Sequence, residues 1–200
     1  TTNGIRQVSD SAGVIAFDEP GLMASEVWFG ISSHGSGVPK DGFGNAGVRL
    51  TPRAGASAVV EVDRTNIAER LYRLTGAGIY RDSVLLGDRP PVREPLINGK
   101  VLGQDSVQTA IYHGTIWWFF GDTSRASYPL GNFAMSGATS SFPPRLGGDG
   151  LDPERGIDLR YVVGDDGFSR PMCPLEGPGP VWCDGMTVVP LFKVTPPVKM

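Results

Sequence analysis

The sequence predicts an all-β protein rich in long loops, and three observations carry that expectation. Gly 28 and Pro 17 in 200 residues exceed the usual share for soluble domains, which favours turns over long helices. Apolar residues come in short runs bounded by Gly, Pro, Asp and Ser, the punctuation of strands joined by loops. Helical spacing occurs only in Asn66-Ile-Ala-Glu-Arg-Leu-Tyr-Arg-Leu74, which reads equally as a strand ending at Gly76. The expected architecture is an N-terminal β-sandwich-like region over residues 1–80, a connection over 81–100, and antiparallel β blades over 101–200. A single β-sandwich is the alternative.

Taken in order, Ala12 to Phe17 and Ala24 to Ile31 are the first two expected strands. A glycine-rich loop over residues 32–46 follows, then strands at Val48 to Thr51 and Ala56 to Val62. Tyr80 to Lys100 reads as an irregular connection because Arg89-Pro-Pro-Val-Arg-Glu-Pro and Asn98-Gly99 both favour turns. Beyond it, strands are expected at Val101 to Tyr112, Thr115 to Gly121, Phe133 to Thr139, Leu159 to Val163 and Val181 to Val189. No internal repeat is visible among them.

Hydrophobic residues make up 40% of the chain, enough for a core in a chain of this length. The net charge is -3, with Lys+Arg 18 scattered singly, so no basic stripe offers itself to a phosphate backbone and nucleic acid is not an expected partner. The longest apolar run, Ile116 to Phe120, is far too short to span a bilayer. The chain starts at Thr1 without an ordered export signal, so any such signal is expected to have been removed or never to have existed. Cys173 and Cys183 flank the turn-rich Pro174-Leu-Glu-Gly-Pro-Gly-Pro-Val-Trp182. They read either as a disulfide stapling that loop or as two buried free thiols. A disulfide would imply a secreted, periplasmic or cell-surface protein.

The hairpin around His113-Gly114 carries the functional argument. Gly103 to Tyr112 and Thr115 to Asp122 read as two strands joined by a two-residue turn. If Tyr112 faces Thr115, stepping away from the turn brings Asp105 opposite Asp122 at the open end. Like charges opposed across a ladder are destabilising unless a shared proton, a bound cation or a nearby base such as Arg125 compensates. A close carboxylate pair suits double-displacement glycoside hydrolysis, and calcium suits the same two groups. The other reading is a longer turn, with one Asp merely capping a loop.

Val101-Leu-Gly-Gln-Asp-Ser-Val, a short hairpin and Trp118-Phe-Phe-Gly-Asp-Thr123 resemble the first blade of a bacterial propeller family that includes endo-D-arabinanases. That family is similar to the wider group of five-bladed β-propeller glycosidases, whose acidic residues lie on inner strands at the mouth of the central channel. The resemblance covers about residues 100–140 and implies that Asp105 and Asp122 are the catalytic pair. Five blades of four strands do not fit into the residues after position 100. The expectation is therefore a partial propeller completed by another chain, or else a sandwich.

Further expected substrate contacts are Gln104, Arg125 and, in the loop after Asp122, Tyr128 and Asn132. Trp117, Trp118, Phe119 and Phe120 alternate between the two faces of the sheet, so they cannot form one sugar platform and two at most are exposed; the preferred reading is that they are core. The carboxylate-rich loop over residues 147–158 reads as a solvated loop or a calcium wrap outside the EF-hand spacing. His34 and His113 have no ligand-spaced partners for zinc. No cofactor other than calcium is expected. The functional expectation is a glycoside hydrolase acting on a furanoside or related polysaccharide. Its alternatives are a non-catalytic carbohydrate- or calcium-binding module and a structural subunit of a larger assembly.

Overall fold

The computed structural model describes residues 4–68, 73–128, 134–141 and 156–189. Among them the chain is all-β, with one five-residue α-helix and one turn of 3-10 helix beside its strands. No helix among the described residues is long and apolar enough to cross a membrane. The chain divides into two compact units, Thr1–Tyr72 and Arg73–Met200.

The first unit is built from two short antiparallel pairs. Strands β1 (Val27–Gly30) and β3 (Gly47–Leu50) pair with Val27 opposite Leu50. Strand β2 (Ser36–Gly37), which forms inside the expected glycine-rich loop, pairs with β4 (Asp63–Arg64). Gly47 has φ +154, and a Cβ there would lie 2.3 Å from the Phe29 carbonyl oxygen, so only glycine lets β3 approach β1 this closely. Phe17 packs edge-on against Phe29, with ring centroids 5.1 Å apart.

Two expected strands of this unit do not form. Ala12 to Phe17 stays irregular because the Asp10 carboxylate accepts the Ala12 and Val14 N–H groups, drawing the backbone into a turn. Ala56 to Val62 is exposed apart from a half-buried Val60, so its valines, strand formers by type, meet no packed face that would reward pairing. The stretch 66–74 falls partly outside the described residues. The one helix, α1 (Arg81–Leu85), lies instead inside the expected connection. Asp82 sits in its first turn, and Gly87, at φ +86, donates to the Val84 carbonyl at its end, the local features that start and stop a helix.

The connection is part of the second unit. Ala77 N–H donates to the Leu102 carbonyl, Gly78 N–H to Leu96 and Tyr80 N–H to Pro95, while Asn98 Nδ2 donates to the Leu159 carbonyl at 2.7 Å. Tyr80 and Val101 are buried as a result.

Strands β5 (Gly103–Gln104), β6 (Val107–Tyr112), β7 (Thr115–Phe120) and β8 (Thr123–Ser124) form one long hairpin with an interruption near its open end. His113 and Gly114 both have positive φ, 48° and 72°, the two-residue turn whose twist matches that of the strands. Strands β9 (Ser136–Ser141) and β10 (Arg160–Tyr161) complete a four-stranded antiparallel sheet in the order β10-β9-β7-β6. Of the expected strand Phe133 to Thr139, Phe133 lies outside the described residues and the strand observed is Ser136–Ser141, while Val181 to Val189 forms no strand.

The core sits on one face of this sheet. Trp118 and Phe120 point into it, stacked at 6.4 Å between centroids, with Ala138 and Leu159, and Tyr161 lies 6.1 Å from Phe120. Their cross-strand partners on β9 are Ala138 and Ser136, small side chains that leave room for the rings. Trp118 Nε1 finds its acceptor in Ser140 Oγ at 2.9 Å. Because alternate residues face opposite ways, Trp117 and Phe119 emerge on the other face, where with Tyr112 and residues 186–189 they line a cleft of about 250 Å³. Replacing Phe120, which is 2% exposed, with Ala is expected to cost about 3–5 kcal/mol, read from the shift of the urea unfolding midpoint at constant slope.

Candidate functional site

The two aspartates meet where the long hairpin is interrupted. The register of the β6–β7 ladder, Val107 opposite Phe120, and that of the β5–β8 ladder, Gln104 opposite Thr123, are continuous. Asp105 and Asp122 are therefore opposed, and the Asp105 N–H donates to the Asp122 carbonyl at 3.1 Å. The reciprocal bond of a regular ladder is replaced. Ser106 adopts φ +27, the Asp105 and Ser106 carbonyls both accept from Gly121 N–H at 3.2 and 3.3 Å, and the Asp122 N–H turns to the Asp105 carboxylate instead. Asp105 Oδ1 accepts it at 2.8 Å, together with Ser106 Oγ at 3.3 Å. An Asp side chain standing in for a backbone acceptor is a local alternative to the ladder.

Gly121 makes this possible. A Cβ there would fall 2.2 Å from Asp105 Oδ1 and 2.8 Å from Ser106 Oγ, so any side chain would displace the carboxylate from the Asp122 N–H.

The two acids live in unequal surroundings. Asp105 is exposed and its Oδ1 is doubly hydrogen-bonded, whereas Asp122 is half-buried and its Oδ1 is enclosed with no donor. Burial first, and the neighbouring Asp105 charge second, push the Asp122 carboxyl above the ordinary carboxylate range. Arg125 does not relieve this. Its guanidinium donates to Asp166 Oδ2 at 3.0 Å and lies 4.4 Å over the Phe168 ring. Asp166 is held below the ordinary range by the Phe168 N–H first and by Arg125 as well.

Gln104, expected to touch substrate, is engaged within the fold. Its Nε2 donates to Thr123 Oγ1 and Ser136 Oγ, and its Oε1 accepts from the Tyr161 hydroxyl at 2.7 Å. Thr123 and Ser136 are fully buried and share a hydrogen bond of 2.8 Å, so a satisfied polar network floors the open end of the hairpin. Burial raises the Tyr161 hydroxyl, which keeps it a donor to Gln104. Tyr128 is exposed and closes a tight turn with Arg125, each donating its N–H to the other's carbonyl. Asn132 and most of the loop over residues 147–158 lie outside the described residues.

Among the described residues no group of three or more His, Cys, Asp or Glu side chains gathers as a metal cluster. Cys173 and Cys183 are free thiols. The aromatic cleft belongs to the turn half of the hairpin, with Ala110 and Tyr112 in its wall, whereas the acids stand at the open end. Sequence reasoning missed Gly121, Ser106 and Tyr161. Only Gly121 left a signal, as the small residue between Phe120 and Asp122 in a strand otherwise built of large ones.

No family model, curated protein or solved structure matches the chain.

Because the folded state holds the Asp122 proton more tightly than the unfolded chain does, Asp122 contributes stability that is fully present below the ordinary carboxylate value. That contribution is lost as pH rises through its raised value. Asp122→Asn is expected to remove this component. Urea unfolding of the variant and the wild type at a series of pH values between about 3 and 7 should show wild-type stability falling relative to the variant as pH increases. A constant difference across the series would refute the assignment.

Proposed function

We propose that this chain is a carbohydrate-active protein, a glycoside hydrolase acting on a furanoside or related polysaccharide, with Asp105 and Asp122 as its acid pair. The supporting observation is the unequal pair itself: an enclosed Asp122 oxygen without a donor, facing a second carboxylate, while the nearby Arg125 is engaged by Asp166. Such an arrangement is costly for stability, and environments that drive two carboxyl groups apart are how acid and base roles are assigned at one pH.

Asp122 in this reading carries the proton and delivers it to the glycosidic oxygen. Asp105 attacks the anomeric carbon to form a glycosyl ester. Asp122, now deprotonated, then draws a proton from the water that releases the sugar. Directly opposed strand positions, with Cβ atoms about 4.5–5.5 Å apart, suit the shorter carboxylate spacing of this double displacement. Gln104, Thr123, Ser136 and Tyr161 act as positioning residues beneath the pair, and exposed Tyr128 is the sugar contact. The four strands β6-β7-β9-β10, each antiparallel to the next, support this reading, since a propeller blade is built of four such strands. A polysaccharide substrate would place the protein at the cell surface, in the periplasm or outside the cell.

A second reading, a subunit whose β structure is completed by another chain, is favoured by strand β6. It is an edge of its sheet among the described residues, and Val107, Ile111 and Tyr112 on it are each about half exposed, a surface that proteins ordinarily cover or blunt.

The experiment is release of reducing ends from furanoside polysaccharides, arabinans first. Wild-type protein is expected to liberate oligosaccharides, with Asp122→Asn and Asp105→Asn each slower by about 10²–10⁴-fold. Gly121→Ala, which crowds Asp105 Oδ1, should lose activity while keeping its unfolding transition. Wild-type rates in both Asn variants would remove the acid pair from the mechanism. Retention on a polysaccharide without any product would make the chain a binding module. In sedimentation, Ile111→Lys is expected to abolish concentration-dependent self-association if β6 is an assembly edge.

A further inference from the structure

Met135, buried just before β9, holds two points of the chain that flank a loop. Its carbonyl accepts the Met172 N–H at 2.7 Å, and its sulfur accepts the Cys183 N–H at 2.9 Å. Met172 also packs against β9, its Cγ 2.8 Å from where a Cβ of Gly137 would stand. Cys183 is tied to β6 as well, because Gln108 Nε2 donates to its carbonyl at 2.6 Å. Cys173 directly follows the first anchor, is exposed, and adopts φ +51. Pro174, Pro178 and Pro180 stiffen the loop between the anchors, and Gly177 and Gly179, at φ +134 and +108, let it fold back.

The two cysteines are thereby both held next to Met135, one at each end of the loop. Burial first, and then a hydrogen bond from its thiol to Cys173, raise Cys183 above the ordinary thiol value. The more exposed Cys173 is thus the accessible first nucleophile, and Cys183 waits behind it.

We propose that Cys173 and Cys183 form a redox-modification site at which a small-molecule disulfide, such as oxidised glutathione, converts the thiol pair into an intrachain disulfide. The Cys173 thiolate attacks one sulfur of the glutathione disulfide, forming a mixed disulfide and expelling one glutathione thiolate. The Cys183 thiolate then attacks the Cys173 sulfur, breaking the mixed disulfide and expelling the second glutathione. The two cysteines lose two electrons and two protons, and the glutathione disulfide is reduced to two thiols. The new bond closes a loop on the order of ten residues, which constrains the unfolded chain. It also fixes the start of the segment whose residues 186–189 form one wall of the cleft over Trp117 and Phe119. None of this rests on the acid pair.

The test uses the full, reduced chain incubated with oxidised glutathione under native conditions and read by intact mass. The chain holds only these two cysteines, so the readout is unambiguous. Wild type is expected to lose about 2 Da without retaining glutathione, and its thermal midpoint should rise by roughly 5–10 °C over the reduced form. Cys173→Ser and Cys183→Ser should each stop at a single glutathione adduct or stay reduced. A wild-type chain that stays reduced, keeps glutathione on either cysteine or cross-links to a second chain would overturn the proposal. An internal disulfide that leaves the thermal midpoint unchanged would overturn the loop constraint.

Discussion

The second unit depends on the two-residue turn at His113 and Gly114. Both residues sit at positive φ, so the turn twists with its strands and admits a single register. From that register follow the pairing of Tyr112 with Thr115, the inward direction of Trp118 and Phe120, and the opposition of Asp105 and Asp122 at the far end. A slip of one residue would turn both core rings to the other face, so hydrophobic burial and turn geometry select the same pairing.

The cost of two opposed acids is borne by a well-satisfied neighbourhood. Directly beside them, Gln104, Thr123, Ser136 and Tyr161 exchange hydrogen bonds until their buried polar groups are used, and the small side chains of β9 accept the rings of β7. Beside that frame stands an enclosed carboxyl oxygen of Asp122 that has no donor. The unusual step is confined to a few atoms: Ser106 at positive φ, a glycine at 121, and one carboxylate taking a backbone acceptor's place. The departure from ladder geometry is therefore local, while the sheet on one side and the short pair on the other keep their register.

The same economy of small contacts organises the loops. Arg125 lies only three residues beyond Asp122, yet its partner Asp166 comes from a distant turn, brought close by Gly164 to Phe168 and by the cation over the Phe168 ring. Met135 likewise gathers Met172 and Cys183 from the two ends of a proline-rich loop. Contacts of this kind join residues with no fixed spacing, which is why Arg125 was legible in the sequence as a charge near the acids but not as the partner of Asp166.

By itself, the sequence determined what periodicity and turn chemistry can encode: the all-β class, the hairpin, its register, the alternation of the four aromatic residues and the opposition of Asp105 and Asp122. Each follows from steps of one or two residues, the range over which backbone geometry dictates the outcome. Only the tertiary structure decided that Ala12 to Phe17 and Ala56 to Val62 form no strand, that Gln104 turns inward, and that the acids are unequal. Pairing, burial and electrostatic environment are set by neighbours remote in the chain, and a strand-forming segment or a carboxylate carries no mark of which neighbours it will meet.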